Sequence, residues 1–431
     1  MKDVLKEGMS ERSAFYRCLR KYPEIDGQTA RFGYLLVNET IRRLNLIDRV
    51  ITEISGEDFK RINLDTLIFL RLFFYWSRFK ERRVENHGKF LKEGMLLSKD
   101  NEYKMANEIL LRLYHFNYEK FLIGLKYSER LSLENFHSEW FTDYCFRLFG
   151  KVFSIKLLKA NNKPKPSYIR VNTLMADETN IVDLLKREDV KLISLKDIKY
   201  VYQLKKTKKP ITKLKAYRKG LLIAQDKSSC LVAHAMNPLP GETVLDVCAA
   251  PGGKTSLLAQ LMNNKGRILS VDSSDLRMKV WRKEIKRLGV RIANPVVGDA
   301  LKPPIHDKVD CVLIDPPCTG TGTFSTFPSM KWKINPRTIK FYSKLQQNIL
   351  EGCSSLVKLQ GNLVYSTCSI TIEENEQVIE RFLLLHPNFE LIEACPNIGS
   401  PPLSEHLGPK RFYPHLDGSY GFFVAKLRRI N

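Results

Sequence analysis

From about residue 221, short apolar runs alternate with helical stretches, and this alternation constrains the fold more than any other feature of the 431-residue chain. The runs lie at Thr243 to Val247, Arg267 to Val271, Asn294 to Val297, Val309 to Ile314 and Asn362 to Tyr365. Helical stretches fit between them, at Thr255 to Met262, Leu276 to Leu288, Thr338 to Leu356 and Glu373 to Leu385. Runs apolar on both alternations suit strands buried on both faces, so the expected fold is a doubly wound α/β sheet. Its parallel strands should be joined by right-handed crossovers. A last apolar run, near Gly421 to Leu427, is expected to pair at the sheet's far end.

The first 150 residues contain few glycines and prolines and place apolar groups three and four apart, as in Ala30 to Leu44. Asn63 or Asp65 is a candidate cap for a following apolar helix that contains Leu67, Phe69, Leu70, Leu72 and Phe73. Residues 1–150 therefore read as an all-α domain. Residues 151–220 read as a basic linker and small RNA-binding subdomain, with the polar, proline-containing stretch Lys159 to Ser167 as a hinge. Their lysines, around Lys205-Lys-Thr-Lys-Lys209 and Lys213 to Lys219, have Tyr217 among them, a composition suited to phosphate contacts and base stacking. Residues 221–431 form the α/β domain.

Lys and Arg number 70 against 47 Asp and Glu, a formal net charge of +23. Such an excess points to a polyanionic partner, RNA or DNA before a membrane. The longest apolar stretch, Leu67 to Trp76, is interrupted by Arg71 and too short to cross a bilayer. The nine cysteines form no CxxC pair, which argues against a zinc site and for free thiols in a reducing compartment. With no apolar signal core at the start, the expectation is a cytoplasmic, monomeric protein without a metal.

Three loops follow apolar runs and should open at one edge of the sheet. The first, Asp246-Val-Cys-Ala-Ala-Pro-Gly-Gly-Lys-Thr255, joins a strand to a helix through small residues that let a ligand approach the backbone. It is neither GxGxxG nor a P-loop, which weakens a dinucleotide or ATP reading. Asp272 ends the next strand, placed for ribose hydroxyls, and Asp299 ends a third, suited to an adenine amino group. The ligand that fits these signals is S-adenosylmethionine.

Two cysteines occupy the later loops, Cys318 in Asp315-Pro-Pro-Cys-Thr-Gly-Thr-Gly322 and Cys368 in Tyr365-Ser-Thr-Cys-Ser369. An aromatic at the position of Cys318 would suggest amino-group methylation of adenine; a cysteine there argues for other chemistry. C5 of cytosine is a poor nucleophile until a thiolate adds at C6 and N3 is protonated, after which C5 can accept a methyl group. Cys318, Cys368 and Asp315 supply a nucleophile, a group for release and an acid, with the two cysteines interchangeable on the chemistry alone. An apolar, proline-lined pocket favours the protonated form of a carboxyl group, which would suit Asp315 to the acid's part. A free thiol titrates near ~8.5, so the nucleophile needs activation by its surroundings. Cys18, Cys145, Cys230, Cys311, Cys353 and Cys395 are expected to be inert and buried. Cys248 sits inside the first loop.

These motifs resemble the RsmB/Sun/NOL-type RNA (cytosine-5)-methyltransferases. The likeness covers about residues 165–431 and includes Arg170-Val-Asn-Thr-Leu174, Gln225-Asp-Lys-Ser-Ser229, the AAPGGKT, DPPCTGTG and YSTCS motifs, Glu373-Glu-Asn-Glu376, and Asp417-Gly-Ser-Tyr-Gly-Phe-Phe-Val-Ala425. The resemblance implies a Rossmann-type SAM-dependent methyltransferase domain. It assigns Cys368 as nucleophile and Cys318 to product release. It implies cofactor contacts from Cys248, Ala249, Ala250, Pro251, Gly252, Gly253 and Lys254, and from Asp272, Arg277, Asp299 and Asp315, with Lys254 also near the substrate pocket. The N-terminal helices resemble the NusB-like RNA-binding domain of some members. Members with that domain act on small-subunit rRNA and others on tRNA; a non-catalytic RNA-binding or ribosome-assembly factor is the remaining alternative.

Overall fold

A computed structural model describes residues 1–56, 62–80, 100–405 and 408–431. The chain divides into two compact units, Met1–Lys163 with Phe324–Asn335, and Pro164–Thr323 with Pro336–Asn431.

The first unit is helical. Its helices begin where short polar side chains take up orphan N–H groups: Ser10 accepts from Ser13 N, Asp26 from Gln28 N and Thr29 N, and Asn63 from Thr66 N. Asn63, rather than Asp65, is thus the cap of the apolar helix Leu64–Tyr75. That helix packs Leu70, Phe73 and Phe74 against Ile47, Val50 and Ile51 of Leu44–Ser55. Arg71, in its middle, is held by Asp48 through two parallel hydrogen bonds of 2.6 and 2.7 Å, so the charge within the apolar stretch is paired.

The helical unit does not stop at residue 150. The helix Lys151–Ala160 packs on Glu139–Phe149, and the unit's boundary falls at Lys163, so the expected 151–220 segment is divided between the two units. A segment far along the chain, Phe324–Asn335, completes this unit. Arg42 donates to the carbonyls of Asn161, Phe324 and Ser325, and Lys331 to Phe136 O and Asn162 Oδ1. Sequence spacing cannot show such an arrangement, because the segment sits between two elements of the other unit.

The second unit has two sheets. The smaller is antiparallel, with β2 (Lys191–Ser194), β3 (Val201–Lys206), β1 (Ser167–Val171) and β4 (Leu222–Ala224) in that spatial order. Buried Arg170 of β1 donates to Gln260 and Ser256 of the helix Gly253–Leu261, tying the small sheet to the larger one's first helix. The larger sheet comprises β5 (Thr243–Val247), β6 (Arg267–Asp272), β7 (Ala293–Val297), β8 (Val309–Ile314), β9 (Val357–Thr367), β10 (Phe389–Ile392), β11 (Lys410–Phe412) and β12 (Phe422–Arg429). Its order is β10-β12-β9-β8-β5-β6-β7, with β11 also on β12. Neighbouring strands from β9 to β7 are parallel, and β12 is antiparallel to its three partners. Alternate residues enter two cores: Val244, Cys311, Leu313 and Val364 on one face, and Leu245, Val247, Val312, Ile314 and Leu363 on the other. The doubly wound α/β expectation is met.

Two details differ from the sequence expectation. β12 lies one place in from the edge, covered by β10; it is apolar on both faces, and a bare edge there would invite pairing with other chains. The last of the four expected helices begins at Glu376, three residues later than expected, because Glu374 and Asn375 are drawn into contacts with the cysteine loops.

Candidate active site

The sheet reverses its winding between β5 and β8: from β5 the chain passes to β6 and β7 on one side, and from β8 to β9 on the other. A crevice forms beyond the carboxyl ends of strands at such a point, and all three motif loops open there.

The first loop leaves β5 with Cys248 at φ 63° and Gly252 at φ 105°. A Cβ at Gly252 would sit 3.1 Å from the Trp281 ring, in a backbone conformation that side chains rarely adopt. Ala249 N donates to Val271 O at 3.0 Å and Gly252 N to Ala249 O at 2.9 Å, so the loop is folded against β6. The helix Gly253–Leu261 then starts without a side-chain cap, which leaves its first-turn N–H groups to a carboxylate or phosphate. Asp272 is buried and holds this loop, accepting from Ala250 N and Ser274 N at 3.2 and 3.1 Å. Arg277 reaches the Asp272 carboxylate at 3.3 Å and also donates to Ala250 O. Asp299 is exposed beyond β7 and accepts from Leu301 N.

Asp315 follows β8 and receives the Lys254 ammonium at 2.6 Å and the Ser366 hydroxyl at 3.0 Å. An ammonium partner replaces the purely apolar pocket expected from the two prolines. Burial pulls the Lys254 amine down, but the charge and hydrogen bond of Asp315 outweigh it and the net shift is upward. The Lys254 ammonium is thereby kept charged beside Asp315.

β8 and β9 are adjacent and parallel, with Ile314 beside Tyr365, so the loops after them meet. The Sγ atoms of Cys318 and Cys368 lie 3.2 Å apart. The Cys318 thiol is pushed well above its ordinary range by its hydrogen bond to Cys368, by burial, and by the charges of Cys368 and Glu374. Behind the thiols, Gly322 N donates to Cys368 O and Gly421 N to Gly322 O, both at 2.9 Å. A Cβ on Gly322 would fall 1.9 Å from Gly421 O, so this three-way backbone contact requires glycine. Of the other cysteines, Cys145, Cys230, Cys311 and Cys353 are buried as expected, whereas Cys18 and Cys395 are exposed.

Sequence reasoning gave no role to the groups that hold these loops. The buried Glu374 carboxylate accepts five hydrogen bonds, from Thr319 N and Oγ1, Ser369 Oγ, Thr371 Oγ1 and Gln346 Nε2. Asn375 binds Thr367 and the Ser369 carbonyl. Arg411 pairs with Glu376 and donates to the carbonyls of Ile370 and Thr371. The acidic run Glu373-Glu-Asn-Glu376 was visible as a motif, but a charge run ordinarily reads as a solvated face. Asp246, likewise unassigned, is buried with Oδ2 on Thr255 and Oδ1 without a partner.

The basic surface is only partly as expected. Lys205, Lys206, Lys208 and Lys209 are exposed, but the Tyr217 ring is covered by the Arg287 guanidinium, 4.1 Å from its centroid, and is not free to stack on a base. Among the described residues no helix is long and apolar enough to cross a membrane, and no three His, Cys, Asp or Glu gather as a metal site.

Residues 233–428 match the family described as 16S rRNA methyltransferase RsmB/F. A probable ribosomal RNA small subunit methyltransferase B of Bacillus subtilis is 33% identical over 307 residues, covering 70% of this chain and 68% of its own. The chain belongs to the RsmB/F family. The likeness extends to the N-terminal helices: a probable ribosomal RNA small subunit methyltransferase B of Synechocystis is 29% identical over 447 residues, with 100% of this chain and 97% of its own covered. Among solved structures, NSun6 from Pyrococcus horikoshii with SFG superimposes with a TM-score of 0.63 at 26% identity, covering 67% of this chain and 97% of that one.

The cofactor of an RsmB/F methyltransferase is S-adenosylmethionine, and the crevice fits it. The uncapped helix start suits its carboxylate, and the small residues of the loop, Ala249, Ala250, Gly252 and Gly253, suit a close approach to the backbone.

Proposed function

We propose that the protein methylates C5 of a cytosine in small-subunit rRNA through a covalent adduct between Cys368 and C6. The reading is carried by the two thiols in contact at the mouth of the crevice, beside a paired ammonium and carboxylate. The loop Cys248–Lys254, with Asp272, Arg277, Asp299 and Asp315, would hold S-adenosylmethionine, which supplies an electrophilic methyl group to C5.

The chain's own groups then have distinct tasks. Attack by the Cys368 thiolate forms the S–C6 bond and moves the ring electrons toward N3, which takes a proton from the Lys254–Asp315 pair. In the resulting enamine C5 is the nucleophile. After methyl transfer N3 returns its proton to the pair; release then removes H5 by a base, re-forms the C5–C6 double bond and expels the Cys368 thiolate. Cys318 is that base. While Cys368 is free, its hydrogen bond and charge keep the Cys318 proton in place. Once Cys368 is a thioether that charge is gone, and Cys318 can give up its proton for the later step. The order of the two thiols is the one the family resemblance assigns, and the raised Cys318 thiol is in keeping with it.

The exposed lysines around Lys205–Lys209 would contact the RNA backbone, so binding should weaken with salt. The target cytosine has to be unstacked to reach the crevice. A monomer acting in the cytoplasm fits the reading.

The test is transfer of labelled methyl from S-adenosylmethionine to small-subunit rRNA, with tRNA as the competing substrate. Cys318→Ala should accumulate a denaturant-resistant protein–RNA adduct and Cys368→Ala should form none. The reverse pattern exchanges the roles; an absence of label in cytidine of either RNA refutes the activity.

A further inference from the structure

Glu374 binds the residue that follows each thiol. Thr319, after Cys318, donates its N–H at 2.8 Å and its hydroxyl; Ser369, after Cys368, donates its hydroxyl at 2.7 Å. Thr371 adds a hydroxyl at 2.9 Å, and Gln346 an amide at 3.0 Å that is shared with Pro317 O, just before Cys318. One side chain thus reaches both thiol-bearing loops from the residues immediately beside the sulfurs. We propose that Glu374 is the positioning residue that sets the spacing of the two catalytic thiols, holding the attacking and the releasing sulfur on one reacting ring. The proposal rests on the covalent reading above.

A stability role alone would not require this residue. The carboxylate is fully buried, its donors are all neutral, and among the described residues it has no ion-pair partner. A buried charge without a cation is costly, and neutral hydrogen bonds only partly offset it. An amide of the same shape would avoid the cost. What the amide cannot do is accept on both sides: with its oxygen at the Oε1 position, its NH2 group meets the hydroxyls of Thr319, Ser369 and Thr371 that Oε2 accepts. With those three protons aimed at Oε2, the Ser369 oxygen is left to accept from Thr371 N at 3.2 Å, while the Thr321 oxygen accepts from Ile370 N at 2.9 Å. The backbone on both sides of the thiols is fixed in this way. Glu374 also deepens the difference between the sulfurs, since its charge is among the causes that raise the Cys318 thiol.

The experiment compares the full-length protein with Glu374→Gln and Glu374→Ala, each rate expressed per S-adenosylmethionine-binding site so that misfolded molecules do not count. The probe is small-subunit rRNA transcribed with 5-fluorocytidine, which traps the adduct, beside the same RNA with cytidine for turnover. A misplacement of about 1 Å costs on the order of a hundredfold in rate, so Glu374→Ala should lose about that factor in kcat and in adduct formation. Glu374→Gln retains the acceptor for Thr319 N and Gln346 and should lose roughly tenfold. KM for the RNA and affinity for the cofactor should change less than about threefold, since neither is held by Glu374. Wild-type kcat per binding site in Glu374→Gln overturns the positioning role, and so does a loss confined to KM. Failure of the unsubstituted protein to form any adduct overturns the covalent reading and this proposal together. If Glu374→Ala does not fold, the Gln variant decides by its kcat.

Discussion

Replacing Asp246 by asparagine should stabilise the sheet unit, and by more as the pH rises. Asp246 is 1% exposed, in the strand beside the cofactor loop, with Oδ2 on the Thr255 hydroxyl at 2.5 Å and Oδ1 without a partner. Burial drives its carboxyl from the ordinary 3.8 up to about 7; the Thr255 hydroxyl and Lys254 pull it back, and Asp315 and Asp272 push it further. The folded state therefore holds this proton more tightly than the unfolded chain does, and ionisation works against folding. The cost is absent well below pH 3.8 and complete only above about 7. A displacement of that size corresponds to about 4 kcal/mol, of which about 2–3 kcal/mol develops between pH 5 and pH 8. Asparagine keeps an acceptor for Thr255 and does not titrate. The stability gap between variant and parent should accordingly widen by about 2–3 kcal/mol over that range. Trp281 is the reporter of choice, because its indole N–H donates to Thr255 at 3.1 Å and the other tryptophans, Trp76, Trp140 and Trp332, lie in the helical unit and can be replaced by phenylalanine. Urea unfolding followed by Trp281 emission at several pH values measures the gap. A gap that stays constant with pH, or narrows as pH rises, refutes the reasoning.

Two further outcomes follow from the packing behind the thiols. Glu376→Ala leaves the Arg411 guanidinium, 1% exposed in its side chain, without its counter-charge, and should destabilise the sheet unit by about 3–5 kcal/mol in thermal unfolding; a loss below about 1 kcal/mol would mean that water reaches Arg411 in the variant. Gly322→Ala forces a Cβ to within 1.9 Å of Gly421 O, where only backbone can yield. It should cost at least about 1–3 kcal/mol and lower methyl transfer more than about tenfold, and a variant with parental activity would show that the glycine contact does not position the thiol loops.

Much of the second unit could be read from the chain. The apolar runs from Thr243 to Ile314 specify strands because both of their faces are buried, and their order along the chain already implied a parallel sheet. The three loops were likewise visible as small-residue or cysteine motifs at strand ends. The helical unit was less legible at its limits. Lys331 and Arg42 are ordinary surface-type residues in sequence, yet both are buried, Lys331 against Phe136 and Asn162. Nothing local announces that Phe324–Asn335 belongs with residues 169 to 318 positions away.

The sequence by itself determined which chemistry is present: a small-residue loop after β5, an acid after each of the next strands, and two cysteines after β8 and β9. These are local properties, since strand, turn and helix start depend on neighbours within a few residues. Only the tertiary structure decided that the two sulfurs touch at 3.2 Å, that Asp315 is paired with Lys254, and that Glu374 is sealed behind both thiols. The reason is that strand order, not strand identity, sets those distances. β8 and β9 are adjacent because β5 takes the other side of β8, and a carboxylate's environment is fixed by whichever loops converge on it.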